Sequence, residues 1–160
     1  MLNNYKKFLI FSFFIANIMG CETFKKLSEP KPLVGKDIHV YNLAANQVEL
    51  RLKVSGLTST MWVTAELVNN SGQFLSFQTR ELLQFDDPEC LNNQEFETPR
   101  ATVLYPKERV LLHYTFRLHA LQKHSTQYEK CKGKPIKFKV DGLLLNNEIV
   151  QPITLTIVNE

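Results

Sequence analysis

Helical periodicity is the first thing missing from this 160-residue chain. No stretch repeats apolar residues at helical spacing for more than a few turns, apart from a possible short helix near 118–123, so an all-helical bundle is excluded. Long apolar runs are missing as well. The longest, near the start, covers about 11 residues, too short to span a ~30 Å hydrocarbon core as a permanent helix. No serine sits in a Gly-x-Ser-x-Gly turn, which argues against an α/β-hydrolase nucleophile. Cysteine is limited to three residues, Cys21, Cys90 and Cys131, and their spacing fits no zinc pattern. With 44% hydrophobic and 22% charged residues, the chain nevertheless has the composition of a folded globular protein.

The first 20 residues fall into three parts. Lys6 and Lys7 form a basic start, Phe8-Leu9-Ile10-Phe11-Ser12-Phe13-Phe14-Ile15 is apolar, and Ala16-Asn17-Ile18-Met19-Gly20 leads to Cys21. That order is the order of a secretory signal peptide. The lysines stay on the cytoplasmic side while the apolar helix enters the membrane.

Ile18-Met19-Gly20-Cys21 resembles the lipobox of bacterial lipoproteins. The resemblance implies cleavage before Cys21, acylation of its thiol and of the new amino terminus, and residence in the bacterial cell envelope. Several acyl chains, at about 0.8 kcal/mol per buried methylene, make such an anchor effectively permanent. Glu22 follows where Asp favours retention at the inner membrane in enterobacterial lipoproteins, so the resemblance points to the outer membrane. An ordinary cleaved signal followed by a chance cysteine is the alternative. Residues 21–36 (CETFKKLSEPKPLVGK) then read as an extended tether, stiffened by Pro30 and Pro32, that lifts a domain covering 37–160 off the bilayer.

Beyond residue 37 the period is two. Val48-Leu50-Leu52-Val54, Met61-Val63-Ala65-Leu67, Val110-Leu112-Tyr114-Phe116-Leu118 and Ile136-Phe138-Val140 alternate with mostly polar residues. One or two strands fit 74–85, a short one 102–105 and a last one 149–158, interrupted by Pro152. Asn69-Asn70-Ser71-Gly72 and Asp141-Gly142 read as turns. Seven to nine strands at this spacing predict an antiparallel β-sandwich, with a small β-barrel as the alternative. The run of strand, Asn-Asn-Ser-Gly, strand, Asp-Asp, Tyr-Pro-Lys-Glu-Arg and long strand is similar to the immunoglobulin-like domains of bacterial surface lipoproteins. That likeness spans roughly 46–158 and implies a fold without an activity.

Export would place Cys90 and Cys131 where disulfides persist. Two strands, near 102–105 and 110–118, are expected between their loops. An even number of strands in an up-and-down arrangement returns the chain to the same end of the sheet, so a bridge is predicted.

Other constellations are weaker. His119, His124 and Cys131 near Asp86 and Asp87 match no metal-binding spacing, and Asp86, Asp87 and Glu89 lack the EF-hand pattern. Neither a metal nor a cofactor is expected. Asn69-Asn70-Ser71 fits a glycosylation sequon and reads more simply as a hairpin turn.

Charge is uneven. Residues 100–140 hold ten Lys or Arg and two acids, whereas 41–99 hold three bases and eight acids. If the strands at 109–118 and 135–140 pair, Arg109, His113, Arg117, Lys137 and Lys139 form one basic face. Such a face suits an anionic glycan, a lipid headgroup or an acidic protein surface. Aromatic residues do not interleave with these bases at stacking positions, so nucleic acid is not an expected partner. The sequence thus predicts a lipid-anchored, non-catalytic binding or assembly module. A structural envelope lipoprotein without a ligand, and an unrecognised enzyme or metal-handling protein, remain open alternatives, and the oligomeric state is not readable.

Overall fold

A computed structural model describes residues 31–56, 58–96 and 101–157. The leader, the lipobox with Cys21 and the first part of the expected tether lie outside the described residues. The chain from Pro32 onward forms one compact unit.

The alternating segments build two antiparallel sheets around one core. The first contains β1 (Ile38–Leu43), β2 (Val48–Ser55), β3 (Met61–Asn69), β6 (Leu91–Phe96) and β8 (Arg109–Leu118) in the order β1-β2-β3-β8-β6. Val48, Leu50 and Leu52 of β2, Met61, Val63, Ala65 and Leu67 of β3, and Leu112, Tyr114, Phe116 and Leu118 of β8 are buried in the shared core.

The facing sheet consists of two segments, β11-β10-β4-β7 and β12-β9-β5. These use β4 (Leu75–Gln78), β5 (Leu83–Phe85), β7 (Ala101–Leu104), β9 (Ile136–Val140), β10 (Leu143–Leu145), β11 (Glu148–Ile149) and β12 (Ile153–Ile157). The register shows how the segments join. Ile157 faces Ile136, Ile153 faces Val140, and Leu144 faces Ile149 without a slip, so residues 136–157 form one long hairpin. On the other side Phe77 faces Leu143 and Leu83 faces Val140. Five residues, 78–82, therefore oppose only Asp141 and Gly142. The surplus coils into a helical turn, Thr79–Leu82.

Asp141-Gly142 is accordingly not the expected chain reversal. The hairpin turns at Asn146-Asn147, both with positive φ (50° and 67°), as a two-residue turn matching strand twist requires. Gly142 has φ of +70°, and an added Cβ would lie 3.1 Å from Cβ of Glu81. This glycine lets the strand run past the helical turn. With the consecutive pairs merged, nine strands among the described residues face each other in two layers, the predicted β-sandwich.

Aromatic side chains join the layers. Phe116 of β8 and Phe138 of β9 meet at 5.0 Å between centroids. The Tyr114 hydroxyl donates to the Thr79 carbonyl at 3.0 Å, and burial pushes that phenol's pKa well above its ordinary value.

Cys90 and Cys131 form a disulfide, with Cα atoms 5.6 Å apart. Three strands, β6, β7 and β8, lie between the two cysteines where two were expected, so an even strand count is not what brings them together. The bridge forms because β6 and β8 pair antiparallel, with Leu91 opposite Leu118. The start of one strand then lies beside the end of the other. The helix expected near 118–123 is a single 3-10 turn, His119–Leu121.

Candidate functional site

The five residues of the expected basic face do not come together. β8 pairs with β3 and β6 in the first sheet, whereas β9 pairs with β5 and β12 in the second. Phe116 and Phe138 face each other through the core, so the alternate side chains of their strands point away from one another. Arg109, His113 and Arg117 lie on the outer face of the first sheet, Lys137 and Lys139 on the outer face of the second.

The two unevenly charged segments of the sequence are brought into contact by the fold. Ion pairs cross from the acidic segment to the basic one: Glu66 with Arg109 at 3.3 Å, Glu95 with Arg117 at 3.5 Å and Asp87 with Lys134 at 2.8 Å. The Lys134 ammonium, hydrogen-bonded to Asp87, holds that carboxyl below the usual aspartate range, and Lys139 does the same for Asp141. His113 lies 3.4 Å from the Thr64 hydroxyl.

The histidine and cysteine group is equally dispersed chemically. Cys131 is consumed by the disulfide, and the His119 ring bonds the Ser125 hydroxyl. Among the described residues no three His, Cys, Asp or Glu side chains converge as metal ligands.

Two surfaces stand out, and the sequence singled out neither. One is centred on Glu66. Its side chain points outward from β3 yet is 0% exposed. Arg51 and Arg109 each approach it at 3.3 Å, and the backbone N–H of Leu33 donates to it at 3.1 Å. Arg51 also pairs with Glu49. The segment before β1 is thus pinned at Leu33 to the outer face of the first sheet. Around the clamp the outer face carries Ile38, Val40, Lys53, Trp62 and Thr64, in register across β1, β2 and β3.

The second surface is a row across the outer face of the other sheet, Val103–Ser76–Leu144–Ile149, given by successive register partners. Val103 and Ile149 are exposed. Ile149 also borders a groove of about 640 Å³ lined by Leu43, Ala44, Leu145, Val150 and Ile153 among others.

Asn69, the first residue of the sequon, is buried and fully engaged. Its side-chain amide donates to the carbonyls of Gln73 and Leu104 at 2.7 and 3.0 Å, and its oxygen accepts from Ser71. Its backbone bonds Lys107 and Glu108. The Asn-Asn-Ser-Gly and Tyr-Pro-Lys-Glu segments therefore meet in one hydrogen-bonded knot, and Asn69 is not presented to solvent for modification.

No protein-family profile matches the chain, and no curated protein matches its sequence. Solved structures do resemble it. The GAE domain of GGA2p from Saccharomyces cerevisiae superimposes with a TM-score of 0.52 at 11% identity, covering 77% of this chain and 99% of that one. The yeast GGA1 GAE domain gives 0.49 at 12% identity, covering 75% and 98%. A FixG-related protein from Vibrio parahaemolyticus gives 0.41 at 10% identity, covering 71% and 97%. The first likeness shows the fold: GAE domains are immunoglobulin-like β-sandwiches, and so is this chain. At such identity the likeness carries no activity.

Proposed function

We propose that this protein is a lipid-anchored, non-catalytic binding or assembly module of the bacterial cell envelope. The observation that carries the reading is the leader ending in Ile18-Met19-Gly20-Cys21. The disulfide between the two remaining cysteines supports it, since such bridges belong to oxidising compartments. The anchor is the lipid on Cys21, and Glu22 favours the outer membrane. The partner is an envelope protein, engaged by the apolar row Val103–Leu144–Ile149 on the outer face of the second sheet. Val103 and Ile149, exposed at the two ends of this row with the half-buried Leu144 between them, suit a protein surface better than a glycan. The divided cations offer no single anionic-ligand surface.

Fractionation of cells tests the anchor. The wild-type chain is expected in the membrane fraction and a Cys21→Ala variant outside it; membrane retention of that variant would overturn the anchor. A photo-crosslinking residue at position 149 tests the partner. One adduct of the same mass is expected from positions 149 and 103, and none from position 154 on the same face. Adducts of equal yield from all three positions, or from none, would overturn the assignment of that row.

A further inference from the structure

Three exposed apolar side chains lie on the side of the first sheet where the chain is pinned. Trp62 is 51% exposed, Val40 54% and Val34 77%. Trp62 is held in place, because its ring lies over Gly56 so closely that an added Cβ would fall 1.9 Å from a ring carbon. Lys53 stands on β2 between Ile38 and Thr64. Lys36 precedes β1, and among the described residues neither lysine has an ion-pair partner.

Chain geometry supplies the occupant. Leu33 is bonded to Glu66 on this same face, and Cys21 lies twelve residues upstream. A fully extended stretch of that length reaches at most about 40 Å. We infer that the outer face of the first sheet is the side of the domain that rests on the bilayer. Trp62, Val40 and Val34 sit at headgroup depth, and Lys36 and Lys53 sit against lipid phosphates. The inference rests on the lipid-anchored reading above.

The chemistry fits a bilayer surface. Tryptophan favours the membrane–water interface, where its ring is half in hydrocarbon and its N–H stays wet. Lysines gain from an anionic leaflet only within about a Debye length, roughly 10 Å at moderate salt. Three apolar side chains and two lysines would hold a free protein weakly. A lipid anchor makes the contact intramolecular, and effective concentration then does what affinity alone would not.

Trp62 is the sole tryptophan, so its emission reports this face alone. The full-length protein, purified from envelopes and checked for lipid by intact mass, is reconstituted into phosphatidylethanolamine–phosphatidylglycerol vesicles. Trp62 is expected to be quenched by bromine-labelled acyl chains and shielded from acrylamide. An equally lipidated Val40→Asp, Lys53→Glu variant is expected to lose both effects while remaining vesicle-bound. A lipidated wild-type protein whose Trp62 stays open to acrylamide would overturn the inference and leave the anchor standing. Shielding without bromolipid quenching would assign the face to a second protein copy and also overturn it. A purified chain carrying no lipid would remove the anchored reading and this inference together.

Discussion

β8 and β9 carry the same kind of sequence, apolar residues alternating with bases, and lie on opposite sides of the core in unlike surroundings. On the first sheet Arg109 joins Arg51 around a fully buried Glu66, and Arg117 reaches Glu95 on the neighbouring strand. On the second sheet Lys139 pairs with Asp141, two residues along its own chain, and Lys137 stands opposite Thr156. The difference teaches that the neighbouring strands, rather than the strand's own sequence, decide whether a cation is structural or merely solvated. Glu66 occurs on β3, and β3 pairs with β8. Beside β9, Asp86 donates its backbone N–H to the Lys137 carbonyl at 2.9 Å, and its side chain is exposed.

The largest test of this comparison removes what keeps the two strands on opposite sides. Phe116→Ala takes away half of the contact with Phe138 and should cost about 4 kcal/mol of unfolding free energy. Chemical denaturation measures it, and a cost under about 1 kcal/mol would mean the strands are not set by that contact. Next comes the bridge near the ends of β6 and β8. Replacing Cys90 and Cys131 together by serine should cost about 4 kcal/mol, the value for a loop of this length, read from the shift in denaturant midpoint.

Charge removal then sharpens the contrast directly. Glu66→Gln leaves Arg51 and Arg109 facing an uncharged amide and should cost about 2 kcal/mol, less than for a fully buried pair because both arginines reach water. Lys139→Gln on the opposite face should cost no more than about 0.5 kcal/mol. Equal costs would erase the distinction between the faces.

The smallest effect is in acid. Asp87 and Asp141 have folded pKa values below the ordinary one, held there by Lys134 and Lys139. Their contribution is therefore present above the ordinary aspartate value of about 4 and is lost as pH falls through the lowered one. Both carboxylates are largely solvated, so the loss should be slight. Thermal melts at pH 5 and pH 3 should show the Lys134→Gln, Lys139→Gln double variant losing less stability than wild type.

What could be read from the sequence was whatever depends on neighbours in the chain. β2, β3, β8 and β9 show in their alternation because one face of each is buried. β1 hides because His39 and Asn42 interrupt the apolar pattern of IHVYNL, and β6 hides because LNNQEF is polar where it borders solvent. Asp141-Gly142 has turn chemistry, yet it lies between β9 and β10 opposite the helical turn at 79–82, and the chain does not reverse there. Only the three-residue register shift on the facing strand explains it. The Glu66 clamp was illegible for a similar reason: its four members come from four separate segments, around residues 33, 51, 66 and 109. The disulfide was predicted through a faulty strand count, and an antiparallel pairing of β6 with β8 turned out to bring the cysteines together.

Membrane attachment at Cys21 is the proposal on which the compartment and the orientation both rest. Intact-mass measurement of the protein extracted from its own cells tests that proposal most directly. The account predicts a mature chain that begins at Cys21 and exceeds its polypeptide mass by that of its acyl groups. A chain retaining residues 1–20, or one beginning at an unmodified Cys21, would contradict it.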